Sequence, residues 1–331
     1  METRKLQKIG GSTYSVSLPK EWALEHHLEA GMPIHLYPHT DGSLVVRSAA
    51  HDGGALGSTT VTLPRADPEA VGRTLRAADA VGYDRITLRA PADATFTDAE
   101  RRAVRQFVQT AVGLSVTEET DTHVTVENVL DASEVSIRQS VSQLRFTACS
   151  MHRTAAEALS AETDADRLAD RDDEVDRLFA MLTRHFTRSL ADFEEIDDLD
   201  VRRAALFEYY VVARQLERVA DHAVRLGSLA DRVDTDADAL DEVTALAADA
   251  RETVEVATTA ALDADPDHAH DALDRRDALV DDVRTLDEAL FESSPASAYA
   301  LSRVLASLQR TVECGGNIAS VALRSSVRPE A

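Results

Sequence analysis

The chain has 331 residues, 44% apolar content, and a net charge of −24 from 35 Lys+Arg against 59 Asp+Glu. That length suits two or three cores. No run of about 18 uncharged apolar residues could span a membrane, and no apolar N-terminal stretch directs secretion. The two distant cysteines, Cys149 and Cys314, leave no disulfide framework, so a cytoplasmic location is expected. An Asp-rich surface with only three lysines is what molar salt favours, where the Debye length falls to about 3 Å. The composition resembles that of a haloarchaeal protein, so the acidity does not exclude nucleic-acid binding.

Residues 1–50 read as short strands around one helical segment. RKLQKIG and TYSVSLP alternate apolar and polar residues on either side of Gly10-Gly11. KEWALEHHL is helical and stops at Gly31. MPIHLYPHT and SLVVRS flank Asp41-Gly42, a hairpin signal. Five basic residues (Arg4, Lys5, Lys8, Lys20 and Arg47) balance five acidic ones here, so the rest of the chain carries the whole deficit. A locally neutral segment holding every lysine is where an anionic partner would dock. Four short strands bury little surface alone, so dimerisation is expected.

A Gly-rich linker, HDGGALGS, leads to a second region over 58–130. TTVTLP precedes a helix with Asp67 as N-cap and Pro68 at its first position. RITLRA follows, then a helix opened by a Thr97/Glu100 capping box, then LSVTEE and HVTVENV. This βαβαββ order predicts a small α/β module whose sheet is covered on one face. It holds no phosphate loop and no nucleophile–base pair, and its default role is structural or coupling.

From Asp131 to about 328 the pattern is helical, in six long segments near 132–161, 164–192, 197–231, 236–263, 267–292 and 296–327. DRDDEVDRLFAML and DRRDALVDDVRTL repeat when Asp172 is set against Asp277, and QLERVADHAVRL and QRTVECGGNIASVAL follow in each half. Two three-helix bundles, 131–231 and 236–328, are expected. Acidic i,i+4 pairs then recur at Asp172/Asp176, Glu217/Asp221 and Asp277/Asp281, with Glu313/Asn317 as the fourth. On a helical wheel Glu217 falls inside the apolar arc, while Asp221, Asp172 and Asp176 lie at its edge. Like charges at this spacing destabilise a helix by roughly a few tenths of a kcal/mol, and burying them unpaired costs more. A hard cation between facing helices, or an arginine such as Arg214 or Arg218, would resolve the cost, and the cation is the favoured reading.

Enzymatic readings find no support. The chain has no Glu-x-x-His for a diiron bundle, no Gly-x-Ser-x-Gly and no plausible Cys–His pair. His222 lies about 100° away from Asp221 and reads as a neutral surface histidine.

With LERVADHA and DDEVDRL in successive helices of a repeated three-helix unit, residues 131–327 resemble the PhoU family of phosphate-uptake regulators. The resemblance implies a metal cluster on each repeated acidic motif, held by Asp172, Asp176, Glu217 and Asp221, then by Asp277, Asp281 and Glu313. Its ion would be divalent or trivalent: iron, zinc, manganese or magnesium. Asn317 and the CGG at 314–316 depart from the motif in the second half. The first 48 residues, through KIGGSTYSVSLPKEW, LEAGMPIHLY and DGSLVVR, resemble the SpoVT/AbrB swapped-hairpin DNA-binding domains, with Met32 in place of the usual Asp. That implies an interleaved dimer gripping DNA through Arg4, Lys5, Lys8 and Lys20, and less directly Arg47. The expectation is a multidomain protein with three parts: an AbrB-like β domain (1–50), an α/β module (58–130) and an all-α PhoU-like pair of bundles (131–328). Its function would be that of a non-enzymatic, phosphate-responsive transcriptional regulator acting on promoters of phosphate-responsive genes. The alternative is a signalling adaptor that docks on a phosphate-transporter ATPase or a kinase and uses its N-terminal domain only to dimerise.

Overall fold

The computed structural model describes residues 3–38, 42–48, 56–65, 67–160, 167–192, 194–233, 237–293 and 295–328. These fall into two compact units, Met1–Gly54 and Ala55–Ala331.

In the first unit β1 (Gln7–Ile9) pairs antiparallel with β2 (Thr13–Ser15) across Gly10, whose φ of 68° is the left-handed conformation a tight turn needs. After α1 (Lys20–Glu25), β3 (His35–Pro38) pairs antiparallel with β4 (Leu44–Arg47). The turn at Gly42 is left-handed, and Asp41 lies outside the described residues, as does most of the Gly-rich linker. The result is two separate two-stranded sheets. None of the described residues of this unit is buried, and Ile9, Tyr14, Val16, Leu36 and Leu44 stand exposed. Its described residues form no core within one chain.

The second unit opens with β5 (Ser58–Thr62), α2 (Pro68–Val81), β6 (Arg85–Arg89), α3 (Asp98–Thr110), β7 (Leu114–Glu119) and β8 (His123–Asn128). The sheet order is β5-β6-β8-β7, with β5 parallel to β6 and the other pairs antiparallel. The predicted caps form. Asp67 accepts the Glu69 N–H at 3.1 Å, and the Thr97 backbone N–H donates to Glu100 at 2.8 Å while Thr97 Oγ1 accepts from Glu100 N. Ile86 and Leu88 of β6 and Val124 and Val126 of β8 face Val71, Leu75 and Val104 of the two helices, all essentially buried.

The helical region consists of α4 (Ile137–Glu157), α5 (Leu168–Ala191), α6 (Glu194–Asp198), α7 (Arg203–Gly227), α8 (Ala237–Asp263), α9 (Pro266–Ser293) and α10 (Pro295–Ser326). Three of the six expected segments start later than predicted, α5 at Leu168 among them. A 3-10 turn at Ala132–Glu134 precedes α4, which Ser136 caps, and the short α6 takes the start of the third segment. The α4, α5 and α7 helices pack as one group and α8, α9 and α10 as another. Leu144, Leu182, Leu216, Val254, Val283 and Ile318 belong to one continuous core, because α7 packs on α10 and α4 on α8. No helix among the described residues is long and apolar enough to cross a membrane.

The module is fastened to α5. Gly82 ends α2 with a φ of 101°, and a Cβ there would lie 2.9 Å from Arg188 Cβ, so the two backbones meet at a position only glycine fits. Arg188 donates to the Gly82 carbonyl at 3.0 Å and pairs with Asp84. Arg184, 4% exposed, donates to Asp79 at 3.2 Å, to the Tyr83 carbonyl at 2.8 Å and to Asp84 at 3.3 Å. Closer to the start of α5, Arg177 Nε donates to the Thr110 carbonyl at 3.0 Å.

Candidate functional site

The α5 and α7 helices face each other with their acidic pairs toward the shared seam. Both are long amphipathic helices, and the i,i+4 spacing puts each pair on one side of its helix. Glu217, Asp221 and Asp172 are half-buried, and Asp176 lies at the exposed rim. Burial pushes Asp172 up to about 6, and the charges of Asp176 and Asp221 push in the same direction. Asp176 is also raised by burial and then by Asp221, with Arg76 and Arg214 pulling it back. Burial raises Glu217 as well; Arg214 opposes this, while Asp221, Asp176 and Asp172 reinforce it. The four carboxylates predicted from the repeat are thus brought within electrostatic reach of one another.

The counter-charge supplied by the chain is incomplete. Arg214 lies 3.7 Å from Glu217 Oε1, with its guanidinium 5.3 Å from the centre of the Phe179 ring, and it remains about half exposed. Glu217 Oε2 is buried without a hydrogen-bond partner. An orphaned oxygen near mutually repelling carboxylates leaves the seam short of positive charge. Among the described residues, however, no three His, Cys, Asp or Glu side chains are gathered closely enough to hold one ion.

The second acidic set is arranged otherwise. Asp277 (71% exposed) has its carboxylate 2.6 Å from Arg276 Nε, and Asp281 (69% exposed) lies 3.0 Å from Arg284. The Gln309 amide donates to the exposed Glu313 at 3.1 Å, and Asn317 donates to Gln215 of α7 at 3.3 Å. These groups lie on the protein surface, each with a partner of its own.

His222 departs from expectation. It is 3% exposed, because α7 is enclosed by both α4 and α10, so it is a core residue rather than a surface one. Burial and then nearby arginines pull it down to about 4, so it is neutral near pH 7. His152 of α4 is buried too, with neither ring nitrogen bonded, and is pulled down to about 3. Cys149 and Cys314 are buried free thiols pushed up to about 12 and about 11, which makes them poor nucleophiles.

A cleft of about 560 Å³ separates α2 and α3 from α5, and Gly72, Arg76, Phe107, Asp173, Asp176 and Phe179 line it. Arg76 is the residue sequence reasoning missed. It belongs to the α/β module, and nothing in its local pattern shows that α2 docks where Arg76 can act on Asp176. In the first unit Arg4, Lys5, Lys8 and Lys20 are exposed, whereas Arg47 is half-buried, 5.6 Å from the centre of the Tyr37 ring.

These features define a helical bundle with a carboxylate seam between α5 and α7. Residues 141–230, from the second turn of α4 past the end of α7, match the PhoU domain, so the part of the C-terminal helical region built by α4, α5 and α7 is PhoU-like. No curated protein matches the chain.

Proposed function

We propose that the chain is a phosphate-responsive regulator of phosphate uptake. In this reading it is a homodimer that binds DNA through residues 1–50 and senses state through a cation on α5 and α7. The PhoU domain ties it to phosphate regulation and to a regulatory rather than catalytic role. The observation that carries the cation reading is the set of mutually repelling carboxylates around the orphaned Glu217 oxygen. Asp172, Asp176, Glu217 and Asp221 would have to draw closer together than they stand here to hold the ion, which would supply the positive charge that Arg214 and Arg76 leave short. Because α5 also anchors the α/β module through Arg184 and Arg188, a change in the seam has a rigid path to that module. The coreless first unit supports dimerisation, since a second copy can cover the exposed Ile9, Val16, Leu36 and Leu44. The exposed Arg4, Lys5, Lys8 and Lys20 support DNA binding by phosphate contacts, which supply affinity more than sequence readout.

Two measurements test this. Metal analysis of the purified protein should show a bound ion that Glu217→Ala and Asp221→Ala remove; unchanged stoichiometry would sink the cation role. Gel shifts in high-salt buffer on phosphate-transporter promoter DNA should be lost with Lys8→Glu plus Lys20→Glu. No shift by the wild-type protein would eliminate the DNA reading in favour of an adaptor acting on a transporter ATPase or a kinase.

A further inference from the structure

We infer that in the second half the chain's own Arg276 takes the place of a cation, so that α8, α9 and α10 close without metal. The inference rests on the assignment of a cation to the first half and concerns how the repeat diverged from it. With Asp172 set against Asp277 and Glu217 against Glu313, Arg276 corresponds to Arg171 and Gly316 to Ala220. Ala220 is fully buried, so its methyl is part of the packing of α7. At Gly316 the same methyl would lie 3.0 Å from Arg276 Cγ and 3.2 Å from Nη1. The missing Cβ is what lets the arginine stem lie on α10 with its head beside it. Gly316 is three residues after Glu313 and one before Asn317, so the guanidinium rests on the turn that carries the second motif.

A guanidinium stays charged at any pH a protein survives and prefers a carboxylate partner. Arg276 Nε is 2.6 Å from Asp277 Oδ1, an ion contact without a hydrogen bond, since the buried Nε has no hydrogen-bond partner, and the side chain is only about one-third exposed. A fixed positive charge at that place repels a second cation and supplies the neutralisation one would bring. The neighbouring donors are committed in the same sense: Asp281 to Arg284, Glu313 to Gln309 and Asn317 to Gln215. Gly315 adds to the closure, because a Cβ there would meet Thr253 Cγ2 at 3.0 Å and the α8 backbone at 3.3 Å. The second half is thus a metal-independent frame, and cation responsiveness belongs to the first half alone.

Equilibrium dialysis of the full chain with Mn²⁺, paired with thermal melts, tests the assignment. Asp277→Asn and Glu313→Gln should leave bound Mn²⁺ per chain and the Mn²⁺-induced melting shift unchanged, while Asp172→Asn lowers both. Loss of bound Mn²⁺ in Asp277→Asn or Glu313→Gln would overturn the proposal. Arg276→Met keeps the packed stem and removes the charge. It should add a Mn²⁺-binding event that disappears when Asp277→Asn is combined with it, and no gain would also overturn the proposal. If the wild-type protein binds no Mn²⁺, the first-half assignment fails. The Arg276→Met gain then decides the second-half proposal by itself.

Discussion

The two halves of the helical region start from the same repeated acidic spacing and resolve its cost in opposite ways. In α5 and α7 the acidic residues are drawn toward a partly buried seam, where burial and mutual repulsion raise Asp172, Asp176 and Glu217. In α9 and α10 they stay at the surface, and Asp277 and Asp281 are matched to arginines one or three residues away. The alanine at 220 and the glycine at 316 mark the point of divergence, because only the second leaves room for an arginine against the helix. Matching spacing therefore does not imply matching chemistry. What decides is whether the neighbouring helix leaves the carboxylates short of counter-charge.

The largest effect should come from cutting the tie that only the first half has. Arg184→Ala would leave Asp79 buried without its cation, and breaking such a pair costs about 3–5 kcal/mol. Chemical denaturation should show a loss of this size, whereas Arg284→Ala, at the exposed pair with Asp281, should change stability by less than about 0.5 kcal/mol.

Acid should act on the shared core next. His152, held near 3 when folded and about 6.5 when unfolded, is neutral in the core, where His222 of α7 and Arg251 of α8 also disfavour its charge. As pH falls below about 6.5 the unfolded chain takes up a proton that the folded chain refuses, so stability drops with falling pH until about 3. At pH 4.5 the loss from this group is on the order of 2 kcal/mol, and His152→Leu should flatten that limb of the pH–stability curve. Crowding the second half ranks with it or just below. Gly315→Val forces a side chain into Thr253 and should cost about 1–3 kcal/mol by overpacking.

Local rules made much of this molecule legible in the sequence. The Asp67 and Thr97/Glu100 caps set the two module helices, and the alternation around them set the βαβαββ order. The repeat located both acidic sets, and the 3.6-residue period placed Glu217 toward the interior, where it lies. What stayed hidden depends on which element packs on which. His222 points away from Asp221 as the wheel predicts, yet the direction it points in is covered by other helices, which no single-helix pattern can show. Arg76 and the Arg184–Asp79 pair join residues about a hundred positions apart, and neither end carries a local signal. The Gly-Gly at 315 and 316 was visible as a departure from the motif. Its meaning, an approach by Thr253 and Arg276, required the neighbouring helices.

The smallest effect is the most discriminating, because its sign should reverse. Near pH 7.5 Asp172 is ionised in the folded protein, although the seam raises it to about 6. A carboxylate with a raised folded value makes the folded state bind protons more tightly than the unfolded one, so its stability contribution falls as pH rises through roughly 4 to 6 and is absent above. Asp172→Asn removes that charge, and after screening at a half-exposed site it should stabilise the cation-free protein by on the order of 1 kcal/mol. On the proposed cation site the order should invert with Mn²⁺ in excess, since a ligand that binds only the folded state stabilises the wild-type protein by mass action and the variant would lack one oxygen of that site. Asp277→Asn, its partner in the repeat, should move neither value by more than about 0.5 kcal/mol, because it removes only an exposed ion pair. Melting curves of the two variants with and without Mn²⁺ measure the asymmetry directly. A parallel response in both would mean that the halves share one chemistry after all.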